Sequence, residues 1–239
     1  IINSKLIGTG ACIPDFVLTN AMLEKMVDTN DEWIVQRTGV RERRIAKNTH
    51  TWELALGAAQ DALADAGITA EKLDLILVST CSPDTNTPNT ASILQDKLGA
   101  RQVGAFDINN ACTGFVSATD IADSYIKSGK AKTVLVVSAE TLSRIVDYTD
   151  RSTCILFGDG AAAAVYQATE DETVGILSTF TAADGSGAEY LHMEALPVED
   201  PLSGDRTVDP KARFLKMQGA PVVRFTARAV PLAIDTALK

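Results

Sequence analysis

Near the middle of the chain stands the stretch Ala105-Phe106-Asp107-Ile108-Asn109-Asn110-Ala111-Cys112-Thr113-Gly114-Phe115. Its first part belongs to Val103–Ile108, a short apolar run that is typical of a buried strand. Its last part opens Thr113–Ser128, where apolar residues recur at three- and four-residue spacing until Gly129 ends the pattern. The stretch therefore predicts a strand that turns directly into a helix, with Cys112 at the turn.

A cysteine in this position is a candidate nucleophile. At the first turn of a helix it faces unpaired backbone N–H groups and the positive end of the helix dipole, and both stabilise the thiolate over the thiol. The thiolate is the reactive form. The alternative is that Cys112 is a small buried hydrophobe at the end of a strand, which is the common role of a free cysteine.

The same alternation of strand and helix extends outward on both sides. We expect strands at Lys5–Ala11, Leu73–Thr80, Val103–Ile108, Thr133–Ser138, Cys154–Gln167, Gly175–Thr181 and Phe214–Met217. We expect helices at Asn20–Val27, Asp31–Thr38, Trp52–Ala66, Thr90–Leu98 and Thr113–Ser128, and another that begins near Pro221. Apolar strands that alternate with helices ending at Gly predict an α/β protein whose sheet is covered on both faces.

The pattern changes in the last third of the chain. Cys154–Gln167 and Gly175–Thr181 follow each other without a helix between them, which predicts an antiparallel pair. Ala183–Pro210 is rich in Gly, Pro, Asp and Glu, and we expect a long surface excursion there. The last helix reaches Lys239 without a further strand, so we expect the chain as given to be incomplete.

Composition excludes several classes of function. A net charge of −9 over 239 residues argues against a nucleic-acid or anionic-membrane binder. Four cysteines without a C-x-x-C pair predict a reducing, cytoplasmic location, and neither a signal peptide nor an apolar run of membrane-spanning length is evident. Neither His50 nor His192 lies close to a cysteine in sequence, so no metal site is predicted.

Several motifs in a fixed order carry a resemblance to a known family. They are Leu6-Ile7-Gly8-Thr9-Gly10, Asp31-Glu32-Trp33-Ile34-Val35-Gln36-Arg37-Thr38-Gly39, Ala111-Cys112-Thr113-Gly114-Phe115, Asp150-Arg151-Ser152-Thr153, Phe157-Gly158-Asp159-Gly160-Ala161 and, more weakly, Phe214-Leu215-Lys216-Met217-Gln218-Gly219. Together they resemble beta-ketoacyl-[acyl-carrier-protein] synthase III, the initiating condensing enzymes of type II fatty-acid synthesis. The resemblance implies a thiolase-like layered αβαβα fold, of which the chain covers the first half and the start of the second. Residues 1–170 would form the N-terminal half with the nucleophile, and residues 171–239 would begin a truncated C-terminal half.

The resemblance also implies a reaction. Family members load an acyl group from acyl-CoA onto the cysteine, here Cys112, and condense it with malonyl-acyl-carrier protein with loss of CO₂. They use acyl-CoA as a substrate and need no cofactor. The backbone N–H of Cys112 would help to stabilise the oxyanion of the loading step. The family's catalytic His and Asn lie beyond Lys239, and neither His50 nor His192 stands in a matching motif, so we expect surface roles for both.

For coenzyme A, the resemblance points to Trp33, Arg37, Arg151 and Gly219. An adenine ring can stack between an indole and a guanidinium, and arginines bind phosphates with a fork of donors. Gly219 would line the passage for the pantetheine arm. The alternative is that Trp33 packs its helix into the core and Arg37 is a solvated charge. By resemblance alone, the protein would be a homodimer.

Four residues depart from the family pattern or match it ambiguously. Ser152 stands where many members have Gly, and Thr113 where many have Ala or Ser. Thr87 stands where well-known members have a Phe that closes the partner's acyl pocket, so the primer chain length stays open. Phe157 matches a pocket-lining position but fits a core position equally well. Two other functions remain open: a thiolase-fold acyltransferase or starter ketosynthase of secondary metabolism, and a non-catalytic truncated half-domain.

Overall fold

The computed structural model describes residues 2–195, 202 and 209–239. Contacts divide the chain into two compact units, and each unit draws on separate parts of the sequence. The first unit comprises Ile1–Val17, Arg44–Thr141 and Gly158–Thr179, and the second comprises Leu18–Arg43, Leu142–Phe157 and Phe180–Lys239. The division into residues 1–170 and 171–239 concerns the halves of the family fold, and it stays a prediction.

The secondary structure largely follows the expected alternation. The strands are β1 (Asn3–Cys12), β2 (Phe16–Thr19), β3 (Glu42–Ile45), β4 (Leu75–Ser79), β5 (Gly104–Ile108), β6 (Thr133–Thr141), β7 (Asp159–Thr169), β8 (Leu191–His192) and β9 (Lys216–Met217). The α-helices are α1 (Asn20–Leu23), α2 (Asp31–Thr38), α3 (Thr51–Ala66), α4 (Thr90–Leu98), α5 (Gly114–Lys127), α6 (Arg151–Cys154) and α7 (Gly219–Ala237). Among the described residues, no helix is both long enough and apolar enough to cross a membrane.

A five-stranded mixed sheet forms the centre of the first unit, in the order β1-β7-β6-β4-β5. β4 pairs parallel with β5 and β6, whereas β7 pairs antiparallel with β1 and β6. Every residue of β4 is buried. Ile76 and Val78 pack with α3 and α4 on one face, while Leu75 and Leu77 pack with α5 on the other. This confirms the predicted α/β architecture with helices on both faces of the sheet.

Helix α3 packs closely against the edge strand β1. A Cβ atom at Gly8 would come within 2.5 Å of the Ala62 carbonyl oxygen, so only glycine permits this approach. Two side chains of the helix also accept hydrogen bonds from backbone donors of this strand. Asp61 accepts a hydrogen bond from the Ala11 N–H at 3.1 Å, and Asp65 accepts one from Thr9 at 2.8 Å. The motif at residues 6–10 is therefore required for packing.

One predicted strand, Cys154–Gln167, begins later than expected, and another, Gly175–Thr181, does not form. Cys154 ends the helical turn α6, which begins where the Asp150 carboxylate accepts the Ser152 N–H at 2.9 Å, and β7 starts only at Asp159. Gly175–Thr181 does not form the antiparallel partner of β7, because β1 and β6 already occupy both edges of that strand. Within this segment, the Ile176 N–H instead donates a hydrogen bond to the Ser4 carbonyl.

In the second unit, the expected excursion at Ala183–Pro210 contains regular structure. A 3-10 turn at Gly185–Tyr190 leads into β8, which pairs antiparallel with β9. Residues 196–201 and 203–208 of this stretch lie outside the described residues. The predicted final helix is confirmed as α7, and the predicted helix from Asn20 stops earlier than expected, at Leu23.

Candidate active site

Cys112 lies between β5 and α5, as predicted, and its side chain is exposed. It belongs to a 3-10 turn, Ala111–Thr113, that immediately precedes α5, and not to the first turn of the α-helix itself. Ala111 has a φ of 42°, in the left-handed region that costs a non-glycine residue about 1–3 kcal/mol. Thr113 donates to the Asn110 carbonyl through its N–H at 3.2 Å and its hydroxyl at 3.1 Å. These hydrogen bonds hold the turn that presents Cys112.

The position of Cys112 also depends on close packing beneath the turn. A Cβ atom at Gly114 would collide with the hydroxyl oxygen of Ser79, so glycine lets α5 begin directly on the end of β4. Ser79 is in register with Ile108 of β5, and the Thr80 N–H donates to the Ile108 carbonyl at 3.2 Å. Cys112 therefore lies at the carboxyl end of the parallel strands, where ligands bind in open α/β sheets.

A buried polar network, missed in the sequence analysis, lies at the same end of the sheet. Its centre is the half-buried Glu140 of β6, whose carboxylate accepts hydrogen bonds from the Cys81 N–H at 2.9 Å, from Thr80 Oγ1 at 3.3 Å and from Ser82 Oγ. Burial raises the pKa of Glu140, and these hydrogen bonds partly oppose that rise. The signal was present in the sequence, since Cys81 and Glu140 each follow a run of buried strand residues.

A second thiol, Cys81, belongs to this network. Its Sγ lies 3.5 Å from Glu140 Oε2, to which it donates a hydrogen bond. Burial, then the charge and hydrogen bond of Glu140, then the charge of Cys112, raise the pKa of the Cys81 thiol to about 12. Cys81 is therefore held as a neutral thiol within electrostatic reach of Cys112. We call Cys81, Cys112 and Glu140 the thiol cluster.

In the second unit, the structure brings Trp33, Arg37 and Arg151 together. The Arg37 guanidinium carbon lies 4.7 Å from the Trp33 ring centroid, and that of Arg151 lies 4.9 Å from it. The Asn30 side chain caps α2 by accepting the Trp33 N–H at 2.8 Å, and Arg151 donates to the Asp28 carbonyl at 2.8 Å. We call Trp33, Arg37 and Arg151 the indole cluster.

The indole cluster presents an aromatic ring and two positive charges in one place. Trp33 is half-buried while both arginines are exposed, and the residue of α2 that packs inward is Ile34. The alternative in which Trp33 anchors the helix in the core therefore has less support. An indole beside two guanidiniums offers a stacking surface and two forks of donors for phosphate.

The other predicted residues occupy varied positions. Gly219 begins α7, and among the described residues a Cβ atom there would meet only the Met217 Cε, at 4.0 Å. Thr87 is exposed and Phe157 is half-buried. His50 is the N-cap residue of α3 and pairs with Asp84 at 3.0 Å, and its exposed side chain agrees with the expected surface role.

His192 lies in β8, where its Nδ1 is 3.1 Å from the Glu189 carbonyl. Within the described part of the chain, no group of three or more His, Cys, Asp or Glu side chains is arranged to hold a metal ion.

A mixed sheet between helices, with a cysteine at the carboxyl ends of its parallel strands, agrees with the thiolase-like class that the sequence motifs predict. Residues 106–185 match the family model described as 3-Oxoacyl-[acyl-carrier-protein (ACP)] synthase III. Beta-ketoacyl-[acyl-carrier-protein] synthase III of Xanthomonas campestris is 48% identical over 241 residues, which cover 99% of this chain and 71% of the relative. The chain belongs to the beta-ketoacyl-[acyl-carrier-protein] synthase III family.

Solved structures agree with this assignment. The crystal structure of 3-oxoacyl-[acyl-carrier-protein] synthase III from Aquifex aeolicus matches with a TM-score of 0.86 and 45% identity, over 98% of this chain and 72% of that one. The priming beta-ketosynthase of the R1128 polyketide biosynthetic pathway also matches with a TM-score of 0.86, at 34% identity, over 97% of this chain and 68% of that one. The thiolase-like fold predicted from the sequence is therefore confirmed.

Proposed function

We propose that this chain accepts an acyl group from acyl-CoA on Cys112 and condenses it with malonyl-acyl-carrier protein, with loss of CO₂, to start fatty-acid synthesis. The observation that supports the proposal best is the exposed Cys112 on a hydrogen-bonded turn at the carboxyl ends of the parallel strands. Family membership supports the same reaction.

In the loading step, the Cys112 thiolate attacks the thioester carbonyl of acyl-CoA. The carbonyl oxygen becomes an oxyanion, and the backbone N–H of Cys112 would stabilise it. When the intermediate collapses, the CoA thiolate leaves and the acyl group stays on Cys112 as a new thioester. In the second step, the carbanion formed by decarboxylation of the malonyl group attacks that thioester and frees Cys112. We do not assign this second step to His50 or His192.

The indole cluster would bind the nucleotide end of acyl-CoA. Adenine would stack on Trp33, and Arg37 and Arg151 would bind phosphate oxygens through charge-assisted hydrogen bonds. Gly219 would line the path of the pantetheine arm, where a larger side chain would obstruct it. Acyl-CoA enters this scheme as a substrate, and no cofactor is needed for either step.

We further propose a homodimer that works in the cytoplasm. β5 is the outer strand of its sheet, and an unpaired strand edge favours pairing with a second chain. The net charge of −9 and the absence of a C-x-x-C pair among the four cysteines are compatible with a soluble protein of a reducing compartment.

A starter ketosynthase of secondary metabolism is the second candidate. The 34% identity to a priming beta-ketosynthase of polyketide biosynthesis favours it, as does the small, exposed Thr87, which is compatible with a primer longer than acetyl. The non-catalytic half-domain, which remains the third alternative, predicts no acyl-enzyme at all.

The test is the intact mass of the purified protein before and after incubation with acetyl-CoA and a series of longer acyl-CoAs. We expect a gain of one acyl group on wild type, and no gain on Cys112→Ala. Cys154→Ala removes a buried thiol and should load like wild type. The acyl-CoA that loads fastest separates the two enzymatic candidates. Loading that persists in Cys112→Ala would refute the role of Cys112, and no loading of wild type would favour the half-domain.

A further inference from the structure

The thiol cluster contains one more reactive group than the proposed reaction needs. Cys112 carries the acyl group in that reaction, whereas Cys81 has no part in it. Both cysteines lie just beyond the carboxyl ends of adjacent parallel strands, two residues after Ser79 of β4 and four residues after Ile108 of β5. Neighbouring strands are about 4.8 Å apart, so the two segments leave the sheet side by side.

Packing at the start of α5 also brings the segment that contains Cys112 against the end of β4. Gly114 packs directly on Ser79, which places the turn containing Cys112 over the end of β4, where Cys81 follows. The charge of Cys112 contributes to the raised pKa of Cys81, as expected of two thiols in one cluster. Cys112 is exposed and Cys81 is half-buried, so an oxidant from solvent reaches Cys112 first.

We propose that Cys81 and Cys112 form a dithiol site that a hydroperoxide closes to a disulfide, with Glu140 as the base that takes the Cys81 proton. Cys112 attacks the peroxide, so its sulfur is oxidised to sulfenic acid and the peroxide is reduced to water or an alcohol. The Cys81 sulfur then attacks the Cys112 sulfur as its proton passes to the Glu140 carboxylate. The S–S bond forms, hydroxide leaves, and hydroxide takes the proton from Glu140 to become water.

Glu140 is placed to act as the base that deprotonates the Cys81 thiol. A thiol with a pKa of about 12 is not a thiolate at neutral pH, so it needs a base in contact to attack a sulfenic acid. Glu140 Oε2 lies 3.5 Å from the Cys81 sulfur, and burial raises the pKa of that carboxyl, which makes it a better proton acceptor. The disulfide would protect Cys112 from irreversible oxidation to sulfinic acid and would block acyl loading until a thiol reduces it.

The experiment treats the reduced protein with hydrogen peroxide, alkylates the remaining thiols and identifies tryptic peptides without reduction. Trypsin places Cys81 in Leu73–Lys97 and Cys112 in Gln102–Lys127, each as the sole cysteine of its peptide. We expect these two peptides linked, and separated again by dithiothreitol. If wild-type Cys112 is found only as sulfenic or sulfinic acid, without the linked peptides, the proposal is wrong.

Variants test the roles separately. In Cys81→Ser, we expect Cys112 to proceed to sulfinic acid, so that dithiothreitol no longer restores its thiol. Glu140→Gln should form sulfenic acid at Cys112, trapped with dimedone, as fast as wild type but should form the disulfide more slowly. If both proteins form the disulfide at the same rate, Glu140 is not the base. Cys12→Ser is the matched control, since Cys12 is a half-buried thiol whose pKa is raised by burial and by Asp15.

This inference goes beyond the proposed function and does not depend on it. Acyl loading from acyl-CoA, measured on the same untreated protein, reports on the proposed function alone. Linked peptides without acyl loading would overturn the proposed function only, and acyl loading without linked peptides would overturn the dithiol site only.

Discussion

The thiol cluster of the first unit and the indole cluster of the second are built in opposite ways. Cys112 owes its place to the backbone: a strained turn at Ala111, a glycine at residue 114 that no other residue can replace without a collision, and a buried strand beneath. Trp33, Arg37 and Arg151 owe theirs to side chains, which meet over one indole ring while both arginines remain exposed.

This difference determines how each region responds to amino-acid substitution. A reacting atom must be held to within a fraction of an ångström, and close packing of buried backbone achieves this. A nucleotide can be held by exposed side chains, because stacking and charge-assisted hydrogen bonds allow some adjustment. Substitutions near Cys112 should therefore affect folding and chemistry together, whereas those in the indole cluster should affect ligand affinity alone.

The largest effect is expected at Gly114. In Gly114→Ala, the new Cβ would collide with Ser79, so α5 must shift or β4 must move. We expect the free energy of unfolding to fall by more than about 3 kcal/mol, the upper end of the usual cost of overpacking. Urea unfolding followed by circular dichroism measures it. Gly219→Ala is the matched control, because within the described part of the chain the new atom meets just Met217, at 4.0 Å. Equal stability of the two variants would mean that packing does not place the turn.

The second largest effect is expected from substitutions in the indole cluster. Arg151→Ala should raise the KM for acetyl-CoA by at least about tenfold with little change in kcat, because a hydrogen bond to a charged group contributes about 1.5–3 kcal/mol. Arg151→Lys should recover only part of the affinity, since an ammonium lacks the planar fork of donors. Arg224→Ala, a change at another exposed arginine of the same unit, is the control. A KM unchanged in Arg151→Ala would remove this residue from the proposed CoA site.

A smaller effect is expected at Gly219, where an effect on ligand affinity can be separated from an effect on the stability of the fold. Gly219→Ala should raise the KM for acyl-CoA a few-fold while the urea midpoint stays the same, because no described residue comes closer than 4.0 Å to the new Cβ. Steady-state kinetics and unfolding of the same preparation provide both values. If affinity is unaffected, Gly219 does not line the pantetheine path.

The smallest effect concerns a polar contact of the second unit. Hydrogen bonds from the Thr149 hydroxyl and N–H, and then from Lys211, lower the pKa of Asp147 to about 2. The folded-state pKa is depressed, so the contact stabilises the protein above the unfolded pKa, near 3.9, and this contribution is lost as pH falls towards 2.

We expect Asp147→Asn to lower stability at pH 7 by about 1 kcal/mol or less, because the Lys211 side chain is 65% exposed and its pairing is screened by solvent. The difference from wild type should shrink below pH 4, as urea midpoints at pH 2, 4 and 7 will show. Asp235→Asn, at an exposed residue of α7, serves as the control. A difference that persists unchanged at pH 2 would mean that the charge of Asp147 is not responsible.

Prediction from sequence succeeded for features that depend on residues close together in the chain. The strand before Cys112, the helix after it, and the helices that end at Gly39, Gly67 and Gly99 all follow from periodicity and from glycines with positive φ. It failed at Gly175–Thr181, an apolar run like those of true strands. Whether such a run becomes a strand depends on a free edge to pair with, and β1 and β6 had taken both edges of β7.

The sequence by itself determined the class of protein, its candidate nucleophile and the order of its elements, because these depend on residue types and spacing within short segments. Only the tertiary structure decided that Glu140 contacts Cys81, that the charge of Cys112 acts on Cys81, and that Arg151 meets Trp33 across more than a hundred residues of chain. The physical reason is that strand order and long-range side-chain contacts result from competition among all segments for the same partners. Periodicity within one segment carries no information on that competition.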